Sequence, residues 1–221
     1  MSWTFDWAAH LHELYSADAC FRRAPHAEPE PPSTRELRLE NAFNGETFVF
    51  SAEGTDVARF NVILAPGGAG GGNALVHVHP CASETFTVTS GRLAVTMGGV
   101  EQIATVGQSV TIPPGTNHHF RNADADETEA IVTFEPAQQH VRFFKNFATL
   151  TKKRPEWFSV EGDPNLLLIA LVLHTYRDHI YLAGIPIRVQ KLMFAALSPL
   201  AKLRGYRLEV EPLANENLPV S

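Results

Sequence analysis

The pattern of hydrophobic and polar positions divides the chain into three stretches. Near the N-terminus, Trp7, Leu11 and Leu14 recur at intervals of four and three residues, which predicts a short amphipathic helix. Residues 22–33 contain four prolines and show no periodicity, so we expect an extended linker there. Residues 1–34 are therefore assigned to a helix and a Pro-rich linker.

Residues 35–147, here called the β unit, alternate between short runs of β-branched or aromatic residues and turn signals. The runs extend from ETFVFSAE through EAIVTFE to QHVRFF, and about ten of them are typical of strands. Asn44-Gly45, Ser90-Gly91 and Gly98-Gly99 supply residues that tolerate the positive φ of hairpin turns. The pattern predicts an all-β sandwich or a barrel closed on itself.

Residues 148–221, here called the C-terminal extension, have a helical pattern. The first predicted helix covers 163–184 and opens with an Asp-Pro pair typical of a capped start. A second is predicted over 186–205, with a kink at Pro199. The apolar sides of these helices need cover from the β unit, from each other or from a second subunit, and we expect a homodimer.

The composition is ordinary for a globular protein and narrows the classes of partner. Apolar residues make up 44% and charged residues 19% of the 221 residues, which argues against wholesale disorder. The net charge is −6, so no strong positive field exists to attract phosphate backbones. Nucleic acid is therefore not an expected partner.

Cysteine content and hydropathy favour a cytoplasmic protein. Cys20 and Cys81 lack Cys-x-x-Cys spacing, so neither a disulfide framework nor a thiolate metal cage is predicted. The first residues have no basic head before a sustained apolar core, so export is not predicted. The longest apolar run, residues 166–173, is far shorter than the roughly 20 residues of a spanning helix, so no transmembrane segment is expected.

The segment HVHPCASE places two histidines and a glutamate close together in a stretch that is predicted to be strand. Alternate side chains of a strand share a face, so His77 and His79 project to the same side. Glu84 opens the next strand, and we expect its carboxylate beside the two histidines on a neighbouring strand. Three candidate metal ligands are thus predicted within reach of one ion.

Residues 107–122 supply candidates for a fourth ligand. Here a strand ends, the chain turns, and a new strand begins with two successive histidines, of which only one can face inward. Alternation assigns His118 to the face shared by Phe120 and Asn122, and it assigns His119 to the outer face.

Two spaced motifs make the β unit resemble the cupin superfamily, and they are complete in this sequence. The first consists of Gly71, His77, His79, Glu84 and Gly91, and the second of Gly107, Pro113, Gly115, His118 and Asn122. The resemblance covers roughly residues 37–145 and neither end of the chain. It implies a mainly β fold, a single cupin jelly-roll β-barrel, flanked here by a short N-terminal helix and the C-terminal extension. It also implies that His77, His79, Glu84 and His118 bind a divalent metal.

The donor set is consistent with a transition metal. Three imidazoles and one carboxylate suit Fe, Mn, Ni, Cu or Zn, and they suit Ca²⁺ poorly because Ca²⁺ prefers oxygen ligands. Four protein ligands leave positions where water, O₂ or a chelating substrate could bind. We therefore expect one divalent transition metal as the cofactor.

The face expected to surround the metal is largely apolar. Alternation directs Leu75, Phe86, Val88 and Phe120 inward, with few additional acids or bases. This favours a small organic substrate, aromatic or carbonyl-bearing, over a bulky charged sugar nucleotide. Glu84 could leave the metal and act as a catalytic base.

Two functional hypotheses follow. The first is a metal-dependent cupin enzyme, most similar to the quercetin-dioxygenase-like branch, which acts by dioxygenation or by metal-assisted enolisation. The second is a non-catalytic module that captures a small ligand and uses its C-terminal helices to signal or dimerise.

Overall fold

Two antiparallel sheets, followed by helices, make up the fold of the residues that the computed structural model describes, which are residues 36–50, 58–69 and 75–210. The predicted N-terminal helix, the linker, Cys20 and Gly71 lie outside the described residues. Within them, the strands are β1 Leu37–Glu40, β2 Glu46–Phe50, β3 Ala58–Leu64, β4 His77–Val78, β5 Ser83–Ser90, β6 Arg92–Met97, β7 Val100–Thr105, β8 Ser109–Ile112, β9 His118–Asn122, β10 Thr128–Glu135 and β11 Tyr181–Leu182.

Strand order places the first and last of the described strands, β1 and β11, in different sheets. In the described ranges, one sheet has the order β1-β2-β3-β10-β5-β8 and the other β11-β4-β9-β6-β7. Neighbouring strands pair antiparallel throughout. Alternation of buried and less buried positions along β10 shows how period-two patterning directs one face of a strand into the core.

The core between the sheets is rich in phenylalanine. Phe60 packs its ring 5.3 Å from that of Phe50, 5.9 Å from Phe48 and 5.1 Å from Phe144, measured between centroids. These tilted and edge-on contacts are the favoured arrangements of aromatic rings. The mainly β fold with helices towards the C-terminus confirms the predicted fold class.

The glycine turns form as predicted, with positive φ at Gly45, Gly91, Gly98 and Gly99. Gly91 is the most constrained of them, because a Cβ there would lie only 2.6 Å from Oγ1 of Thr128. A side chain at this position is therefore excluded by both backbone conformation and space.

The prediction that QHVRFF is a strand is wrong, because these residues begin helix α1, His140–Lys153. Val141, Ala148 and Leu150 are among its buried residues, and Phe144 also packs on the core of the sheets. The apolar residues continue at helical intervals beyond the six-residue run. The run alone is too short to distinguish a strand from a helix.

The first predicted helix of the C-terminal extension is shorter than expected. Helix α2 spans Leu166–Thr175, and its N-cap is Asn165, whose Oδ1 accepts a hydrogen bond from the backbone N of Leu168 at 3.0 Å. The Asp-Pro pair lies before this cap. The helix ends at Tyr176, a non-helical C-cap, and Asp178 then takes a positive φ of 64°. The chain continues into β11, so Gly184 follows a strand and does not end a helix.

Helix α3, Ile187–Leu203, agrees with the second predicted helix and contains Pro199. The side chain of its buried Gln190 makes two hydrogen bonds to the backbone of Leu182 in β11. Oε1 of Gln190 accepts from the N of Leu182 at 3.1 Å, and Nε2 of Gln190 donates to the O of Leu182 at 2.8 Å. Strand β11 in turn pairs with β4, with Leu182 opposite His77. Helix α3 is thus linked through β11 to a strand that carries a predicted metal ligand.

In the described part of the chain, the structure contains no helix of the length and apolar character needed to cross a membrane. The domain boundary between the β unit and the C-terminal extension stays a prediction, as does the cytoplasmic location.

Asn122 joins several loops through its side chain. Its Nδ2 donates to the carbonyl oxygens of Leu64, Ala65 and Asp126 at 2.8–3.0 Å, and its Oδ1 accepts from Thr128 Oγ1 at 2.7 Å. We expect Asn122→Ala to lower the free energy of unfolding by about 2–4 kcal/mol, because buried partners lose their hydrogen bonds. Urea unfolding measures this change.

The matched control is Asn117→Ala, at an exposed position directly before β9. Its effect should stay within about 0.5 kcal/mol. Equal losses in the two variants would show that Asn122 does not hold these loops together.

Candidate metal centre and adjoining cavity

The four predicted ligands converge, and they come from both sheets. His77 lies on β4, His79 directly follows that strand, and His118 opens β9 opposite His77. Glu84 lies on β5, which belongs to the other sheet. The expectation that Glu84 occupies a strand next to β4 is therefore wrong, because the carboxylate reaches the histidines across the space between the sheets.

The ligand atoms of these four residues all lie within 4.8 Å of one another. Oε2 of Glu84 is 2.8 Å from Nε2 of His118 and 3.5 Å from Nε2 of His79. Two ligands on opposite sides of one ion are separated by about 4.0–4.4 Å, twice a typical metal–ligand distance. Small side-chain movements would therefore bring all four atoms onto one cation.

Each histidine ring is oriented by a hydrogen bond from its Nδ1 to a backbone carbonyl. His77 donates to Leu75 O at 2.9 Å and His118 donates to Thr116 O at 2.9 Å. His79 donates to the carbonyl of His179 at 2.5 Å. A proton on Nδ1 leaves Nε2 as the metal-binding atom of a neutral ring, which is the usual arrangement around metal-bound histidine.

The contact between His79 and His179 connects the centre to the C-terminal extension. The ring of His179 is itself held at both nitrogens, because Nδ1 donates to Arg177 O at 2.9 Å and Nε2 accepts from the backbone N of Gln139 at 2.7 Å. The sequence suggested no role for His179. The structure makes its carbonyl the group that orients a candidate ligand.

Charge in the cluster is concentrated on Glu84 and His118. Burial favours a neutral Glu84, but the hydrogen bond from His118 outweighs it and holds the pKa of this carboxyl below its ordinary value. Burial also disfavours a charged His118, yet the bond to Glu84 prevails and raises its pKa. A bound cation would replace the proton that His118 shares with Glu84, so metal binding releases a proton.

The remaining donors also fit a metal. Burial lowers the pKa of His77 to about 3, so its ring is neutral and able to coordinate. Nε2 of His79 is buried and has no hydrogen-bond partner among the described residues, although a buried polar atom is rarely left unsatisfied. Three imidazoles and a carboxylate match the preferences of first-row transition metals.

A cavity of about 180 Å³ adjoins the cluster, and His77 and Glu84 form part of its wall. Its volume exceeds many times the space of about 10–15 Å³ that a single water requires. Residues from α1 and α2 form another part of its wall. Apolar lining residues include Phe48, Phe120, Phe143, Phe147, Leu168 and Val172.

The predicted pocket residues divide into two groups. Leu75 and Phe120 line the cavity. Phe86 and Val88 lie in the core between the sheets, where the ring of Phe86 packs 4.7 Å from that of Phe120. The side chains of both residues point inward from β5, as the alternation predicts, but they lie in the core and not among the residues that line the cavity. His119, assigned by alternation to the outer face, is half-buried and is also among the lining residues.

The sequence reasoning missed a second carboxyl in this wall, that of Glu46 on β2. Burial raises the pKa of Glu46 to about 7. The alternation of side chains along the strand could have revealed it, because Glu46 shares a strand face with Phe48 and Phe50, which are both buried. The expectation of few additional acids or bases near the metal therefore overlooked one buried group.

Comparison with known proteins gives a family match for the central part of the chain. Residues 60–134 match the family model of the cupin domain. This segment contains all four residues of the cluster. None of the curated proteins matches the sequence.

Solved structures with a similar fold include several cupins. A sugar phosphate isomerase of the cupin superfamily from Silicibacter pomeroyi is 22% identical, with a TM-score of 0.37 over 41% of this chain and 59% of that chain. An RmlC-like cupin from Shewanella frigidimarina is 21% identical, with a TM-score of 0.40 over 49% and 91%. Streptomyces PAC13 with uridine is 18% identical, with a TM-score of 0.38 over 48% and 79%. These likenesses concern the fold of part of the chain and assign no substrate.

Metal binding should stabilise the folded chain. With Zn²⁺ at about 100 times its dissociation constant, the free energy of unfolding should rise by about 2.7 kcal/mol, because the ion binds the folded cluster. His79→Ala should remove most of this gain. Thermal unfolding with and without Zn²⁺ measures it.

His174→Ala is the matched control, since His174 lies on α2 and outside the cluster. This variant should keep the full stabilisation by Zn²⁺. A stabilisation of His79→Ala as large as that of the unmodified chain would contradict the assignment of His79 as a ligand.

Proposed function

We propose that this chain is a metal-dependent cupin enzyme acting on a small organic molecule with an apolar body and an oxygen donor. The observation that carries the proposal is the apolar cavity that adjoins His77 and Glu84. A ligand filling it places its body against phenylalanine and leucine side chains and its donor towards the cluster. Such a combination of an apolar wall and a few convergent polar groups is typical of small-molecule sites.

The residues of the chain have separable tasks in this proposal. His77, His79, Glu84 and His118 hold a divalent transition metal, which when bound supplies Lewis acidity or activates O₂. The Nδ1 hydrogen bonds keep the three rings in place, so little reorganisation accompanies binding. The apolar walls formed by α1 and α2 exclude water and strengthen electrostatic interactions inside the cavity.

The reaction class that we propose is dioxygenation, as in the quercetin-dioxygenase-like branch, or metal-assisted enolisation. Both begin with a carbonyl or enol oxygen directed at the cluster. Both need a proton to leave the substrate, and Glu84 could accept it if it left the metal. A highly charged substrate is disfavoured, because apart from the metal the cavity offers few groups to pair with its charges.

The metal is tested first. Protein purified without added metal should contain about one divalent transition ion per chain by elemental analysis, and His77→Ala and His118→Ala should each lose most of it. His174→Ala should retain the ion. Absence of a stoichiometric ion from the unmodified chain, even after incubation with Fe²⁺, Mn²⁺, Ni²⁺, Cu²⁺ and Zn²⁺ in turn, would contradict the proposal.

Turnover is tested with small enols. A flavonol and a 1,3-diketone should bind the metal-loaded protein, and O₂ uptake or loss of the enol absorbance should exceed that of free metal. His118→Ala should reduce the rate to that of free metal. Binding of these probes without turnover would favour the rival hypothesis of a non-catalytic ligand-binding module.

We also propose that the chain forms a homodimer. Val189, Leu192 and Leu203 of α3 are exposed large apolar residues, and apolar surface of this kind favours association. Light scattering coupled to size exclusion should give twice the mass of one chain. Leu192→Glu should shift the protein towards the monomer.

A further inference from the structure

The carboxyl of Glu46 faces the same cavity as the metal cluster. Glu46 opens β2, pairs in register with Leu64 on β3, and is 9% exposed. It lines the cavity together with His77 and Glu84, and Phe48 lies two residues further along the same strand face. A molecule in the cavity would therefore meet the cluster and this second carboxyl at once.

Glu46 has no cationic partner within the described ranges. No lysine, arginine or histidine in these ranges forms an ion pair with it. The side-chain partners of its carboxyl are the neutral amides of Asn41, whose Nδ2 donates at 3.4 Å, and of Asn44. Removing a carboxylate from water without a cation is costly, so its neutral form gains relative to its charged form. The resulting pKa of about 7 means that both forms are populated near neutral pH.

The backbone of the local turn is closed by bonds that do not use this carboxyl. The turn between β1 and β2 is closed by main-chain atoms of Glu46, because Asn41 N donates to Glu46 O at 2.8 Å and Glu46 N donates to Asn44 Oδ1 at 3.2 Å. Neither bond uses the side chain. A buried acid whose side-chain partners among the described residues are neutral amides keeps an unfavourable desolvation cost, which requires another explanation.

We propose that Glu46 is a catalytic acid–base residue that transfers a proton on a carbonyl substrate bound in the cavity, an inference that rests on the function proposed above. The substrate class is a compound with a carbonyl oxygen for the metal, an adjacent C–H group and an apolar body. A group that is half-ionised near the working pH is well suited to both accept and return a proton.

The proton transfer balances within the site. The carboxylate of Glu46 takes the proton from the carbon next to the carbonyl, and the C–H bond breaks. Its electron pair forms the carbon–carbon double bond of the enolate, and the carbonyl electrons move to oxygen. The neutral Glu46 then exchanges its proton with solvent and returns one to the same carbon, which completes a hydrogen exchange. Return of the proton to the former carbonyl carbon of a 2-hydroxy carbonyl compound, after a proton shift between its oxygens, would complete an isomerisation.

Other titratable residues also line the cavity. They are His77 and Glu84 of the cluster, His119, and the exposed Glu161 and Asp163 on the wall before α2. In the function proposed above His77 and Glu84 hold the metal, and Glu84 could act as a base only after leaving it. Glu161 and Asp163 are exposed. Glu46 combines burial with freedom from the metal, which is the basis for selecting it.

Phenylpyruvate is a suitable probe, because its 2-oxo acid group chelates divalent ions, its ring suits an apolar cavity, and its benzylic C–H bonds are acidic. The test follows exchange of these hydrogens in D₂O by proton NMR with Zn²⁺-loaded protein, after subtraction of the rate with free Zn²⁺. Glu46→Gln should slow the protein-catalysed exchange by about 100-fold or more. Zinc content, melting temperature and phenylpyruvate affinity should stay unchanged, since Gln keeps the side-chain length and an acceptor for Asn41.

Glu40→Gln is the matched control, because Glu40 lies on the adjacent strand β1, is exposed and pairs with Lys152 in solvent. Its exchange rate should equal that of the unmodified chain. Wild-type exchange in Glu46→Gln would overturn the role of Glu46 and leave the proposed metal enzyme intact. Zinc-loaded protein that does not bind phenylpyruvate, or binds it without faster exchange, would overturn the substrate class and the proton transfer. A chain that takes up no zinc would overturn the proposed function itself.

Discussion

The structure depends most on the way three imidazole rings are held. Each ring donates from Nδ1 to a main-chain carbonyl. Nε2 of His118 and of His79 then lie 2.8 and 3.5 Å from Oε2 of Glu84, and a ligand atom of His77 lies within 4.8 Å of the others. For His77 and His118 the acceptor lies two residues earlier in the chain, so a short local turn sets the orientation. For His79 the acceptor is His179, 100 residues away. One ligand is therefore oriented by tertiary structure and not by its own strand.

This long-range contact gives the C-terminal extension a function in the site. Strand β11 adds an edge to the sheet that contains β4, and Gln190 of α3 fixes that strand by hydrogen bonds to Leu182. Helix α2 packs against α3 and contributes apolar residues to the wall of the cavity. The C-terminal extension thus affects both the orientation of the candidate ligand His79 and the shape of the adjoining cavity.

The sequence predicted the parts of the site that depend on local spacing. Side-chain direction repeats every two residues along a strand, which places His77 and His79 on one side. Turn glycines such as Gly91 mark where strands end, so both features can be predicted without tertiary information. The contact of His79 with His179 could not be predicted in this way, because it depends on how α2 and β11 return to the sheet. The helix that begins at His140 was mistaken for a strand, since six residues are too few to distinguish the two periods.

The role of Glu46 could be predicted from the sequence only in part. Its parity on β2 places it on the same face as Phe48 and Phe50, and an acid on an apolar face is a recognisable sign of function. Its position beside the metal cluster depends on the pairing of β2 with β3 and on the cavity wall, which only the structure provides.

The account rests on one cation being held by three histidines and one carboxylate. X-ray absorption spectroscopy of the zinc-loaded protein measures this coordination directly. We expect a first shell of nitrogen and oxygen at about 2.0–2.2 Å, with outer-shell scattering from three imidazole rings that falls to two in His118→Ala. A sulfur shell near about 2.3 Å, or a shell of oxygen without imidazole scattering, would contradict it.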